Sequence, residues 1–241
     1  MKGATRCAGS RRSDRSPGSI DGKFAAILFD FDGVLIESEY AGNRQIAEYL
    51  TGIGHPTLPE ESMAQFMGYS GKDFLDRVAA RIGGPVPESF HTARRAEDER
   101  VLRDGIAEVA GAVAFVRGLP ADLPRAVVSS SRKHWIRTHL AHLGLADAFG
   151  EHLYSGHEDV ARGKPAPDLY LHAAARLGVA IADCLIIEDS PVGATGAVAS
   201  GGYVVGLCAG THCAPDHAAT LRAIGVDAVA GSFDELAALL R

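Results

Sequence analysis

Five short apolar runs limit the folds open to this chain. Phe24-Ala-Ala-Ile-Leu-Phe29, Ala126-Val127-Val128, Cys184-Leu-Ile-Ile187 and Tyr203-Val-Val-Gly-Leu207 are nearly continuous in apolar residues, and Asp227-Ala-Val-Ala230 is a weaker version. A strand with one wet face alternates apolar and polar residues. A run apolar at almost every position suits a strand covered on both faces. Helical patterns lie between the runs, over 109–118, 132–143, 167–177, 192–200, 214–224 and 233–240. Ile136, Leu140 and Leu143 share one face of the second; Leu169, Ala173 and Leu177 share one face of the third. Strands alternating with helices of about 10–12 residues predict a parallel sheet wrapped by helices.

Residues 38–107 break that alternation. Phe74, Val78 and Ile82 recur at a helical step, no buried strand is evident, and Gly54-His55-Pro56 and Gly83-Gly84-Pro85 divide the stretch into several helices. It reads as a helical insert between the first strand and the next helix of the sheet domain. The expected division is a tail over 1–22, a sheet domain over 23–37 and 108–241, and an insert over 38–107. The tail, rich in Arg, Ser and Gly, lacks the apolar stretch of a secretory signal and is expected to be disordered. A length of 241 residues allows a sizeable core without disulfides or structural metal. A net charge of −6 argues against a nucleic-acid partner. No apolar run reaches the ~18 residues of a membrane span. Cys7, Cys184, Cys208 and Cys213 have no CxxC spacing, so reduced thiols in a cytoplasmic monomer or dimer are expected.

Chemistry-bearing residues fall where the strands end, the edge at which open parallel sheets bind ligands. Asp30 and Asp32 close the first run before Gly33. A carboxylate at Asp30 could attack phosphorus, while a carboxyl at Asp32 protonates a leaving oxygen and then activates water; the plainer reading is a turn. Ser129-Ser130-Ser131 offer hydroxyls and backbone N–H groups to an anion, or simply a helix cap. Lys164, in Gly163-Lys-Pro-Ala-Pro-Asp168, could neutralise phosphoryl charge, or be a solvated lysine in a stiff loop. Glu188-Asp189 end a buried run and would be costly there without a cation or donors. With Asp30 they could hold Mg²⁺, unless Asp189 merely caps the next helix. The set in this order supplies a nucleophile, an acid/base, anion ligands and a metal site.

In these segments the chain resembles the haloacid dehalogenase superfamily, in its phosphatase and phosphomutase branch. DFDGVLIESE, VVSSS, GKPAPDLY and IIEDSPVGATGA resemble its four motifs, and the likeness runs from Phe24 to Arg241. It implies a Rossmann-like core with a small α-helical cap inserted after the first strand. It also implies Asp30 as nucleophile, Asp32 as general acid/base, Ser129 as a phosphate ligand and Lys164 as the charge-neutralising lysine. The implied Mg²⁺ ligands are Asp30, Asp189 with Glu188 beside it, and Asp32 through its backbone carbonyl. Family dehalogenases lack the second aspartate, so Asp32 favours phosphoryl transfer. The implied activity is Mg²⁺-dependent hydrolysis of a small phosphorylated metabolite, a sugar or sugar-acid phosphate, through an aspartyl-phosphate. The alternative is a sugar phosphomutase of the β-phosphoglucomutase type. That enzyme uses a hinge histidine and a cap-loop arginine; the matching positions here are Gly42 and Gly71, which favours net hydrolysis. Ser130, and Tyr69 and Lys72 of the insert, are expected substrate contacts. Gly210-Thr-His-Cys213 holds too few ligands for a metal and reads as a loop.

Overall fold

Six parallel strands build the sheet of the computed structural model, which describes residues 24–67 and 71–240. The tail over 1–22 and Tyr69 lie outside the described residues. The strands are β1 (Ala26–Phe29), β2 (Arg125–Ser129), β3 (Leu153–Ser155), β4 (Cys184–Glu188), β5 (Tyr203–Leu207) and β6 (Ala228–Ala230), in the order β3-β2-β1-β4-β5-β6. This is the doubly wound, Rossmann-like arrangement. The chain builds outward from β1 to β3, then returns to the other side of β1 with β4. That reversal opens a crevice beyond the carboxyl ends of β1 and β4.

The apolar runs form strands because both faces of the sheet are covered. Phe29, Val127, Leu185, Ile187 and Val205 pack on one side, with Val116, Ile136 and Leu236 from helices α5 (Ala112–Gly118), α6 (Lys133–Leu143) and α11 (Phe233–Leu239). Leu28, Val128, Ile186 and Val204 pack on the other, with Leu169, Tyr170 and Ala197 from α8 (Asp168–Leu177) and α9 (Pro191–Ser200). Each fully buried Leu, Ile or Val contributes roughly 1.5–3 kcal/mol relative to exposure. One strand is absent from the sequence reading. β3 has only three residues and pairs with β2 alone, so it is too short to show a period. The short helix α7 (Ala146–Phe149) precedes it. The helix expected over 214–224 starts late, as α10 (His217–Ile224), and leaves Cys213 in a turn closed by its N–H to Gly210 O at 3.0 Å.

Between β1 and α5 lie α1 (Ser38–Gly52), α2 (Pro59–Phe66), α3 (Gly71–Ile82) and α4 (Glu88–Asp104). They enclose a core of their own, made by Ile46, Leu50, Phe66, Val78 and Phe90, against which Phe74 and Ile82 pack. Two extended passes connect this unit to the sheet. They are joined by Glu37 N–H to Ala107 O (2.9 Å) and Val109 N–H to Leu35 O (3.1 Å). Among the described residues, no helix is long and apolar enough to cross a membrane.

His139 lies in the core side of α6, fully buried, its ring centroid 4.3 Å from that of Trp135. Neither ring nitrogen has a hydrogen-bond partner. Burial lowers its pKa to about 4. Between the ordinary histidine value and that point, the unfolded chain takes up a proton that the folded chain refuses. Stability is therefore lost as pH falls across this window. We expect His139→Leu to remove up to about 3 kcal/mol of acid sensitivity. Melting temperatures near pH 7 and pH 4.5 test this; equal acid slopes for the variant and the parent would contradict it.

Candidate active site

The ends of β1, β2 and β4 bring the strand-end residues into one cleft. Asp30 leaves β1 with its N–H on Ile187 O of β4 at 2.9 Å, which sets its side chain beside Glu188 and Asp189. Lys164 arrives from the loop before α8. Its Nζ lies 2.6 Å from Asp30 Oδ1 and 2.6 Å from Glu188 Oε1, almost wholly out of solvent. Tyr170 of α8 donates its hydroxyl to the same Glu188 oxygen at 2.6 Å. The other Glu188 oxygen lies 3.3 Å from both Ser190 N and Ser190 Oγ. Ser190 Oγ also caps α9, accepting from Gly193 N at 3.0 Å.

Asp32 is held apart from that group. Ser131 Oγ (2.6 Å) and Ser129 Oγ (3.3 Å) reach its Oδ2, and Trp135 Nε1 donates to Oδ1 at 3.1 Å. The two aspartates thus stand in different surroundings: Asp30 beside an ammonium and two acids, Asp32 beside neutral donors. Ser130 lines the cleft between them.

Two glycines let backbone come against these carboxylates. A Cβ on Gly33, whose φ is +82°, would overlap the Asp189 carboxylate, and one on Gly193 would overlap that of Glu188.

Charge in the cleft is unbalanced. Asp30, Glu188 and Asp189 are buried, with an oxygen of each within 4.8 Å of the others, beside the ammonium of Lys164. Burial pushes the Asp30 pKa well above the carboxylate range, Glu188 and Asp189 push it further, and Lys164 opposes them. Asp189 is raised by burial, then by Glu188 and Glu39. Burial works against the charged Lys164, yet Asp30 and Glu188 outweigh it and hold its pKa above the ordinary lysine value. Asp189 Oδ1 is buried without a partner. An all-oxygen donor set with excess negative charge and an unfilled acceptor fits a hard divalent cation such as Mg²⁺.

The haloacid dehalogenase-like hydrolase family model matches residues 24–201. The chain belongs to this family. As a haloacid dehalogenase-like hydrolase it is 30% identical over 195 residues to the 6-phosphogluconate phosphatase of Escherichia coli K12, covering 80% of this chain and 86% of that one. It is 31% identical over 182 residues to hexitol phosphatase A of the same strain, covering 75% and 81%. A haloacid dehalogenase family hydrolase from Deinococcus radiodurans R1, solved with bound phosphate and sodium, superposes with a TM-score of 0.80. That structure is 33% identical and covers 91% of this chain and 99% of its own. The haloacid dehalogenase-like hydrolase described here is an enzyme, a phosphoric monoester hydrolase.

Asp30, Asp32, Ser129, Ser130, Lys164 and Asp189 all line the cleft of this hydrolase, and Glu188 lies wholly buried behind them against Lys164. Lys72 does not line the cleft. It is on the exposed face of α3, its side chain 84% accessible and paired with Asp76 at 2.5 Å, so the structure gives no contact that would make it a substrate ligand. Sequence reasoning missed several residues. Ser131 and Trp135 grip Asp32, and Tyr170 supports Glu188. Glu39 of α1 also lines the cleft; burial and then Asp32 raise its pKa. His212, from the segment read as a plain loop, has its Nε2 2.8 Å from Asp189 Oδ2, and burial holds its pKa below the ordinary histidine range. The neutral imidazole donates to that carboxylate.

Proposed function

We propose that this hydrolase is a Mg²⁺-dependent phosphatase of small sugar or sugar-acid phosphates, working through an aspartyl-phosphate on Asp30. The observation that carries the reading is the division of labour between its two aspartates. Asp30 sits in the cation-demanding cluster beside Lys164. Asp32, three residues' worth of donors around it, stands outside that cluster.

Lys164 holds the Asp30 carboxylate in place and offsets its repulsion for a phosphate dianion. An Asp30 oxygen forms the new bond to phosphorus as the ester P–O bond breaks. Asp32 gives its proton to the departing alkoxide, a role typically worth about 10²–10⁴-fold. Ionised Asp32 then takes a proton from water, which attacks the aspartyl-phosphate, releases phosphate and restores both carboxyls. The hydroxyls of Ser129 and Ser130 bind phosphoryl oxygens. Held by Asp30, Asp189 and the backbone carbonyl of Asp32, with Glu188 beside them, Mg²⁺ would supply the positive charge that phosphoryl transfer demands. The helical insert over 38–107 acts as the cap that excludes water. Gly42, where a mutase carries its proton-gating histidine, supports hydrolysis over phosphoryl return.

A test mixes the enzyme with phosphorylated metabolites and Mg²⁺ and reads inorganic phosphate. Exhaustive chelation should abolish turnover, and restoring Mg²⁺ should recover it. Full activity in excess chelator would refute the metal assignment. Conversion of glucose 1-phosphate to glucose 6-phosphate with little phosphate released would install the mutase reading instead.

Substrate choice is assigned to Arg94. A second cavity of about 620 Å³, lined by Asp32, Ser130 and Trp135 at the reactive end, extends to Gly42, Phe74 and Arg94 in the insert. Arg94 Nη1 is fixed by Gly42 O (3.2 Å) and Gln45 Oε1 (2.9 Å). A guanidinium so placed suits the distal carboxylate of a sugar-acid phosphate, the substrate type in the name of one relative. Arg94→Ala should lower kcat/KM for 6-phosphogluconate by roughly 10–100-fold, the worth of a charged hydrogen bond. It should leave neutral sugar phosphates nearly unaffected. An equal loss on both would remove Arg94 from substrate recognition.

A further inference from the structure

We propose that His212, Cys213 and His217 form a second metal site that takes a thiophilic divalent cation of the Zn²⁺ class. In the sequence the loop alone holds one histidine and one cysteine, too few for such a site. Folding supplies the third, His217, which opens α10.

One ring nitrogen from each histidine and the Cys213 sulfur lie within 4.8 Å of one another. Cys213 Sγ contacts the His212 ring, 3.5 Å from its Nε2, and the ring's Nδ1 is the nitrogen left to face a cation.

The supports that orient metal-binding imidazoles are also present. A ligating histidine usually gives its second ring N–H to a carboxylate or a backbone carbonyl. Here His212 Nε2 faces Asp189 Oδ2 at 2.8 Å, and His217 Nε2 faces Asp189 O at 2.5 Å. His212 Nδ1 is left buried without a partner. The rings stand 83° apart with centroids 5.9 Å from each other, edge to face rather than stacked.

The donor chemistry separates this site from the acidic one. Two nitrogens and a sulfur select a soft or borderline cation, whereas the Asp30, Glu188 and Asp189 oxygens select a hard one. On binding, the Cys213 thiol gives up its proton to solvent and coordinates as thiolate. Both sites abut Asp189, one through its carboxylate and the other through the imidazoles that lean on it.

The test uses the full chain with excess Mg²⁺, so that the carboxylate site is satisfied, and Co²⁺ followed by Zn²⁺ as probes. One equivalent of Co²⁺ should produce a thiolate-to-metal charge-transfer band and the strong visible absorption of a tetrahedral ion. Zn²⁺ should displace it. Cys213→Ser should abolish the charge-transfer band, and His217→Gln should weaken Zn²⁺ binding by at least about tenfold. If either variant fails to fold, X-ray absorption of the zinc-loaded parent decides. Sulfur scatterers at about 2.3 Å support the site, and a shell of oxygen and nitrogen alone overturns it. A weak octahedral cobalt spectrum, or a charge-transfer band that survives in folded Cys213→Ser, would also overturn it.

Discussion

Asp30→Asn should cost at least about 10⁴-fold in turnover, the scale of losing a nucleophile, while the protein stays folded. The amide keeps an oxygen for Lys164 Nζ, which lies 2.6 Å from Asp30 Oδ1, but it cannot form a stable bond to phosphorus. Its effect on stability should run the other way. Burial and two neighbouring acids already disfavour the charged form of Asp30. Removing one of three crowded charges should leave the melting temperature in chelator unchanged or higher. It should also shrink the rise that Mg²⁺ produces. Kinetics on a variant of confirmed fold, with melting curves with and without Mg²⁺, provide the check. Parent-like phosphate release would end the covalent mechanism.

Lys164→Met should be the most destabilising change in the cleft. The ammonium touches Asp30 and Glu188 in a place sealed from solvent. Removing one partner of a buried ion pair costs about 3–5 kcal/mol, because the remaining charge is uncompensated. Here two carboxylates would be abandoned together, with Asp189 close by. The pH dependence follows from sign. Without the lysine, the folded Asp30 and Asp189 carboxylates, raised already by burial, hold protons more tightly than the unfolded chain does. Stability is then gained as pH falls through their raised pKa values and lost as pH rises. The deficit should be larger near pH 8 than near pH 5.5, and Mg²⁺ should recover part of it. Melting at the two pH values, with and without Mg²⁺, measures this. A deficit independent of pH would mean that the lysine contributes packing rather than charge.

The strand-end cluster of the cleft was legible in the sequence because its parts are local. Asp30, Ser129 and Glu188 each end or directly follow a buried strand, so reading the strand locates the residue. The strands themselves were legible where both faces are covered. β3 was not, because three residues carry no period. What stayed hidden depends on chain crossings. Trp135 meets Asp32 from 103 positions away, and Thr211 meets the Glu37 carboxylate from 174. No local pattern announces such meetings. His212 illustrates the same limit: its segment is an ordinary loop until the fold places Asp189 on one side and His217 on the other. Lys72 differs in another way: a lysine following a glycine loop suggested a ligand, and the fold sets it on an exposed helix face beside a carboxylate one turn away.

Gly33 and Gly193 contribute by having nothing beyond the α-carbon. At each, the first carbon of any side chain would occupy space held by a buried carboxylate, Asp189 or Glu188. Alanine scanning trims every other residue of the cleft, but at these two positions it adds matter. The gentlest substitution in the experimenter's repertoire would there be a wedge, driven between the backbone and the acids it was meant to leave alone. A survey that ranks residues by what their side chains do would pass over both glycines, although the spacing of Glu188 and Asp189 depends on them as a lock depends on its clearances.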